Sequence, residues 1–220
     1  MKHLTFLLLS GGLLATPVLA ATPPAHHGAA HAAAGSSTAA AAPAPKLQAA
    51  LRGLWHGHVQ HTRDYAFAVK AGDAARGQSE ADAVVANAKQ LAGAVAGFYG
   101  KVAGERMLAL LAGHWSAVKA MTDAGQRGDA KAGNEAMATL ARNAGEIAVF
   151  LSGANPNLPE DAVRGLLVAH GAHHAAQIAQ VMRGDLAGEK TTWTAMQAHM
   201  DTIADAMAAA LAKQFPDKAA

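Results

Sequence analysis

From Lys46 onward, apolar residues return along the chain with a helical period. Leu47, Leu51, Leu54, His58, His61, Tyr65 and Ala68 advance in alternating steps of four and three, which places them along one face of an α-helix. Met107, Leu111, His114, Val118 and Met121 repeat the pattern, as do Val163, Leu167, His170, His174, Gln177 and Val181. Three further helical stretches are predicted near 79–98, 129–152 and 191–213. Gly72-Asp73, Gly128-Asp129 and Gly184-Asp185 mark breaks between helices. Pro159, followed by Glu160 and Asp161, suits the first turn of another helix.

These breaks are spaced by 56 residues, twice, and the same offset aligns other positions. Leu54, Leu110 and Leu166 match, and four residues later so do His58, His114 and His170. In the second helix of each unit Asn87, Asn143 and His199 align, followed by Leu91-Ala92, Ile147-Ala148 and Ile203-Ala204. The predicted fold is therefore all-α. It is a helical bundle of about six helices arranged as three helical hairpins over residues 46–218. One helix pair cannot bury its apolar face alone, so the three are expected to pack together.

Composition supports this fold and narrows the chemistry. The chain is 51% hydrophobic, much of it alanine, and only 5% aromatic, which argues against an all-β fold. The absence of cysteine excludes a disulfide scaffold, thiolate zinc sites, iron–sulfur clusters and c-type haem attachment. The 18 basic and 16 acidic residues nearly balance and form no basic stripe, so nucleic acid is not an expected partner. Against this background 12 histidines stand out.

The N-terminal segment reads as an address. Met1-Lys2-His3, an apolar run from Leu4 to Leu14, and Val18-Leu19-Ala20 have the form of a secretory signal peptide over residues 1–20. The apolar run is too short for a good membrane span, and no later segment approaches one. The expected location is periplasmic or secreted, with no membrane span in the mature protein. Residues 21–45 are rich in Ala, Pro, Gly and Ser and read as a disordered linker carrying His26, His27 and His31.

Several motifs resemble an uncharacterised group of secreted bacterial all-helical proteins. They are Leu54-Trp55 with His58 and Thr62-Arg63, His114, Asn143-Ala144 with Glu146-Ile147-Ala148, and Asn155-Pro156-Asn157 with Pro159. Later come His170, His199-Met200, Ala204-Asp205 and Gln214-Phe215-Pro216. The resemblance spans about 50–218 and implies a helical fold and export, not an activity. This chain departs from the group at His61, at His173-His174 and at Gln177, where the group carries Trp, apolar or Thr, and acidic residues respectively.

A buried imidazole needs a partner for each nitrogen, or a metal on one of them. If the helix seams converge, His58, His114 and His170 meet at one level and His199 joins from the last helix. Such a set suits Zn²⁺, Cu²⁺ or Ni²⁺. His61 and His174 are spaced to share a metal with His58 and His170, at i,i+3 and i,i+4. Glu146 is the best acidic candidate for a further ligand or a base, and Asn87, Asn143 and Thr62 are placed to orient the rings. Met196 and Met200 flank His199, so a mixed His/Met copper site is open, though methionine at helical spacing is commonly core filler.

Enzyme signatures are thin. The chain lacks His-Glu-x-x-His, the Glu-x-x-His of di-iron bundles, a phosphate-binding glycine loop and a nucleophile elbow. The expected function is binding of a transition metal, Zn or Cu, through inward-facing histidines, for handling or sensing more than catalysis. Two alternatives stay open: a hydrolase-like metal-dependent enzyme with Glu146 as base, or a non-catalytic interaction module with structural histidines.

Overall fold

A computed structural model describes residues 44–219, and the signal peptide and nearly all of the expected linker lie outside them. The described residues form seven helices and no strand, as expected of an all-α bundle. They are α1 (Pro45–Ala71), α2 (Ala74–Tyr99), α3 (Lys101–Arg127), α4 (Ala130–Ala154), α5 (Glu160–Arg183), α6 (Leu186–Gln214) and a short α7 (Pro216–Ala219). Helices α2 and α6 each begin five residues earlier than the apolar periodicity alone predicts, because capping sets where they start. Asp73, Asp129 and Asp185 each accept a hydrogen bond from a backbone N–H three residues on, at Arg76, Ala132 and Gly188. The glycines before them, Gly72, Gly128 and Gly184, adopt φ of 71°, 67° and 73°, a left-handed conformation that closes the preceding helix without Cβ strain.

Turns this short make consecutive helices antiparallel, so α1, α3 and α5 run in one direction. These three also touch one another, while α2, α4 and α6 each pack against both neighbouring odd-numbered helices, α6 bridging α5 and α1. The packing therefore does not set off three separate hairpins. Each even-numbered helix is shared between two units, because an amphipathic helix gains by burying both flanks of its apolar stripe.

Two apolar clusters fill the bundle. One contains Leu51, Trp55, Met107, Leu110, Leu167, Met196 and Met200. The other contains Tyr65, Val84, Trp115, Val118, Leu140, Ile178 and Val181. On α3 and α5 the buried histidines fall between these two groups in the sequence, and on α1 His58 sits at the edge of the first, beside Val59. Met196 and Met200 are thus core residues, fully buried in the first cluster. Among the described residues no helix is long and apolar enough to cross a membrane.

Where α2 turns into α3 the backbones approach closely. A Cβ on Gly104 would lie 2.7 Å from the Ala96 Cβ and 2.9 Å from the Ala92 carbonyl oxygen, whereas one on Gly93 meets nothing within 4 Å. Gly104→Ala should therefore destabilise the protein by about 1–3 kcal/mol through overpacking. Gly93→Ala should stabilise it by about 0.5–1 kcal/mol through helix propensity. Urea denaturation of the two variants checks the opposite signs.

Candidate metal centre

Because α1, α3 and α5 are parallel and in mutual contact, equivalent positions on them arrive at one level. His58 from α1, His114 from α3, and His170 with His174 from α5 converge there, with one ligand-capable nitrogen of each lying within 4.8 Å of those of the other three. Their ring centroids are 4.4–6.0 Å apart, and the His114 and His170 rings are nearly parallel, at 11°. All four side chains are buried, with exposures of 4%, 3%, 1% and 1% in chain order.

Their hydrogen bonding is far from complete. Both ring nitrogens of His58 and of His114, and Nδ1 of His170 and of His174, are buried without a partner. The one bond within the group joins His170 Nε2 and His174 Nε2 at 3.0 Å, one ring donating and the other accepting. Buried polar groups are ordinarily satisfied, so six orphaned nitrogens in one place mark a site built for something other than packing.

Electrostatics keep these rings neutral. Burial pushes the His58 pKa down to about 3, helped by His114 and His61, and burial lowers His114 to about 4. His170 and His174 are held well below the usual histidine value, by burial first and by the neighbouring imidazoles second. Neutral imidazole is the form that binds metal, so binding near neutral pH displaces no proton from these rings.

His199 lies outside the group of four. Its Nε2 donates to the Leu166 carbonyl at 2.8 Å, and its ring sits 5.3 Å from that of His173. The equivalent Asn87 and Asn143 do the same, their Nδ2 groups donating to the carbonyls of Leu54 and Leu110 at 2.9 and 3.0 Å. These three side chains tie each even-numbered helix to the turn before a buried histidine. Their donated bonds go to backbone, and Asn143 also stands close enough to His114 to oppose the burial that lowers that ring's pKa. Thr62 likewise donates to the backbone carbonyl of His58, at 2.8 Å, and not to its ring.

Two other candidates point elsewhere. His61 is partly exposed, with Nδ1 2.9 Å from Glu80 Oε2, and Glu146 is exposed on α4, outside the histidine group. His174, read from the sequence as an additional possibility, stands in the cluster instead, and its i,i+4 spacing from His170 was the signal for it.

A second buried polar group joins residues whose pairing the spacing along the chain does not show. Glu189, at the start of α6, accepts from Arg63 Nε and Nη2 at 2.6 and 2.9 Å and from Gln177 Nε2 at 2.9 Å. The Arg63 guanidinium also lies 4.9–5.0 Å from the ring centroids of Phe67 and Trp193. Gln177 is three residues beyond His174, so this network closes the bundle next to the histidines. At the aligned positions the first two units carry Gly77 and Gly133, beside open clefts of about 300 and 590 Å³.

Fold and site together describe an all-α bundle with a buried four-histidine cluster compatible with a metal ion. No family model, curated protein or solved structure matches the chain.

The depressed pKa values have a measurable consequence. An unfolded chain takes up protons on these histidines near pH 6.5, while the folded chain resists until much lower pH. Between those limits the unfolded state binds more protons, so the stability they contribute is complete above about pH 6.5 and is lost as pH falls. Metal-free protein should hold a constant urea midpoint from about pH 8 to 7. It should then lose more than about 1.4 kcal/mol per pH unit between about pH 6 and 5, the slope of a single proton. A flat profile would show that the rings protonate without cost.

Proposed function

We propose that this protein binds a transition-metal ion through His58, His114, His170 and His174, and that it serves in metal handling or sensing. The observation that carries this reading is the convergence of four neutral, buried imidazoles with six unpartnered nitrogens. Zn²⁺–N bonds of about 2.0–2.1 Å would draw such nitrogens slightly closer together, a rotamer-scale adjustment. Imidazole donors suit Zn²⁺, Cu²⁺ and Ni²⁺, and Zn²⁺ and Cu²⁺ are the natural probes.

Four protein ligands complete a tetrahedral shell, whereas catalytic zinc keeps a position open for water or substrate. This favours holding an ion over hydrolysis, and exposed Glu146 offers no base beside the cluster. Structural histidines would carry hydrogen bonds throughout, whereas six of these eight ring nitrogens have no partner. The signal-like N-terminus and the resemblance to secreted bacterial helical proteins support a periplasmic or secreted setting for this role.

The test uses the full chain purified without an affinity tag, with His26, His27 and His31 replaced by asparagine to silence the N-terminal segment. Calorimetric titration should find a tight equivalent of Zn²⁺ or Cu²⁺, and metal at about 100 times Kd should stabilise the fold by about 2.7 kcal/mol. His58→Leu and His114→Leu should each weaken binding on the order of 100-fold or more, since even partners behind a ligand cost 10–100-fold. The same variants should be more stable than the parent without metal, because leucine fills the space and removes two of the six unpaired buried nitrogens. His61→Ala should change neither property. Absence of binding by the parent, or leucine variants that lose stability and keep affinity, would defeat the reading.

A further inference from the structure

A site this deep raises the question of how an ion reaches it. A divalent cation stripped of water costs far more than the site can return unless ligands replace the water stepwise. One end of the cluster is closed by Trp55, Met107, Leu110 and Leu167, and the other by Tyr65, Trp115, Val118 and the Arg63–Glu189–Gln177 network. Between α1 and α2, and between α3 and α4, the aligned positions hold Asn87 and Asn143, both buried and committed to backbone carbonyls.

The side between α5 and α6 differs. There the aligned position is His199, and His173 stands beside it with ring centroids 5.3 Å apart. Both are half-buried, and each stands near enough to a cluster ring to lower its pKa, His199 acting on His170 and His173 on His174. His173 directly precedes His174 and lies three residues, one helical turn, from His170. The bond from His199 Nε2 to Leu166 fixes that ring and leaves Nδ1 uncommitted. Among the described residues none forms a hydrogen bond with the His173 ring. Two adjacent imidazoles with spare nitrogens, neighbours of a buried four-histidine cluster, make a ligand pair in their own right.

We propose that His173 and His199 form a second, weaker metal site that takes a Zn²⁺ or Cu²⁺ ion from solvent and passes it to the buried histidines. The inference rests on metal binding by the four-histidine cluster. Transfer replaces bound water with the imidazoles of the pair and then the pair with the buried imidazoles, with no change in the oxidation state of the ion. The open ligand positions of the pair keep it weak enough to release what it collects.

The repeat supplies a conservative test. Positions equivalent to 173 carry His61 and Ala117, and those equivalent to 199 carry Asn87 and Asn143, so the H173A/H199N double variant uses residues the fold already accommodates, and asparagine preserves the bond to Leu166. Full-length protein, with His26, His27 and His31 replaced by asparagine as above, is mixed with Cu²⁺ and followed by tryptophan fluorescence. Trp55, whose ring lies 5.9 Å from that of His58, reports filling of the buried site. The double variant should reach the same final quench and the same tight stoichiometry, but load about tenfold more slowly or worse, because the local concentration of ion is lost. In His114→Leu protein a weak equivalent should remain, and H173A/H199N should remove it.

Loading of the double variant at the parent's rate would overturn the proposal while leaving the buried site standing. Loss of tight stoichiometry in the double variant would also overturn it, by making the pair part of the main site. A parent that binds no copper, or binds it only through the pair, would overturn the buried-site reading and the hand-over with it. His173→Ala alone, which leaves the Leu166 bond intact, should slow loading in the same direction, with circular dichroism confirming the fold.

Discussion

Everything in this bundle is arranged around four imidazoles that meet in its interior without enough partners. Each unpaired buried polar nitrogen costs about 1–3 kcal/mol, and six of them sit together. A chain with marginal stability carries such a burden only if the rest of the packing is sound. The two apolar clusters supply that support, with Val59, Val84, Met196 and Met200 fully enclosed. The same burial that creates the cost strips the rings of protons and readies them as ligands.

The convergence follows from small, repeated devices. A left-handed glycine and a capping aspartate reverse the chain after α1, α3 and α5, and the turns at Gly100 and at 155–159 bring it back, which makes α1, α3 and α5 parallel. Asn87, Asn143 and His199 each bond a leucine carbonyl four residues before a cluster histidine, which pins the relative heights of neighbouring helices. Register is thereby set at the level of the rings. Identical devices would give three histidines around an axis. The departures on the last two helices, His174 in place of Thr62 and Val118, Glu189 in place of glycine, and His199 in place of asparagine, complete the cluster and give it a distinct side.

Much of this was legible before any coordinates. Helical periodicity gave the helices, and the 56-residue spacing placed His58, His114 and His170 at equivalent points. The repeat also points to His199 as the fourth member, but that ring bonds the Leu166 carbonyl and stands outside the cluster. An aligned position reports a shared local role, and the role here is a bond to a backbone carbonyl. That role depends on the distance between neighbouring helices, which sequence spacing does not encode. Nor did spacing reveal the Arg63–Glu189 pair, whose members are 126 residues apart and meet because α6 closes against α1.

The sequence by itself therefore determined what is local: helix type, turn chemistry, and which residues lie on an apolar face. These depend on interactions within a few residues along the chain. Tertiary structure decided which of the seam histidines share a centre, because that is a matter of helix order, direction and rotation set by packing. It put His174 among the four and turned His199 to a carbonyl. It also left Glu146 facing solvent, since one turn of a helix can separate a buried face from an exposed one.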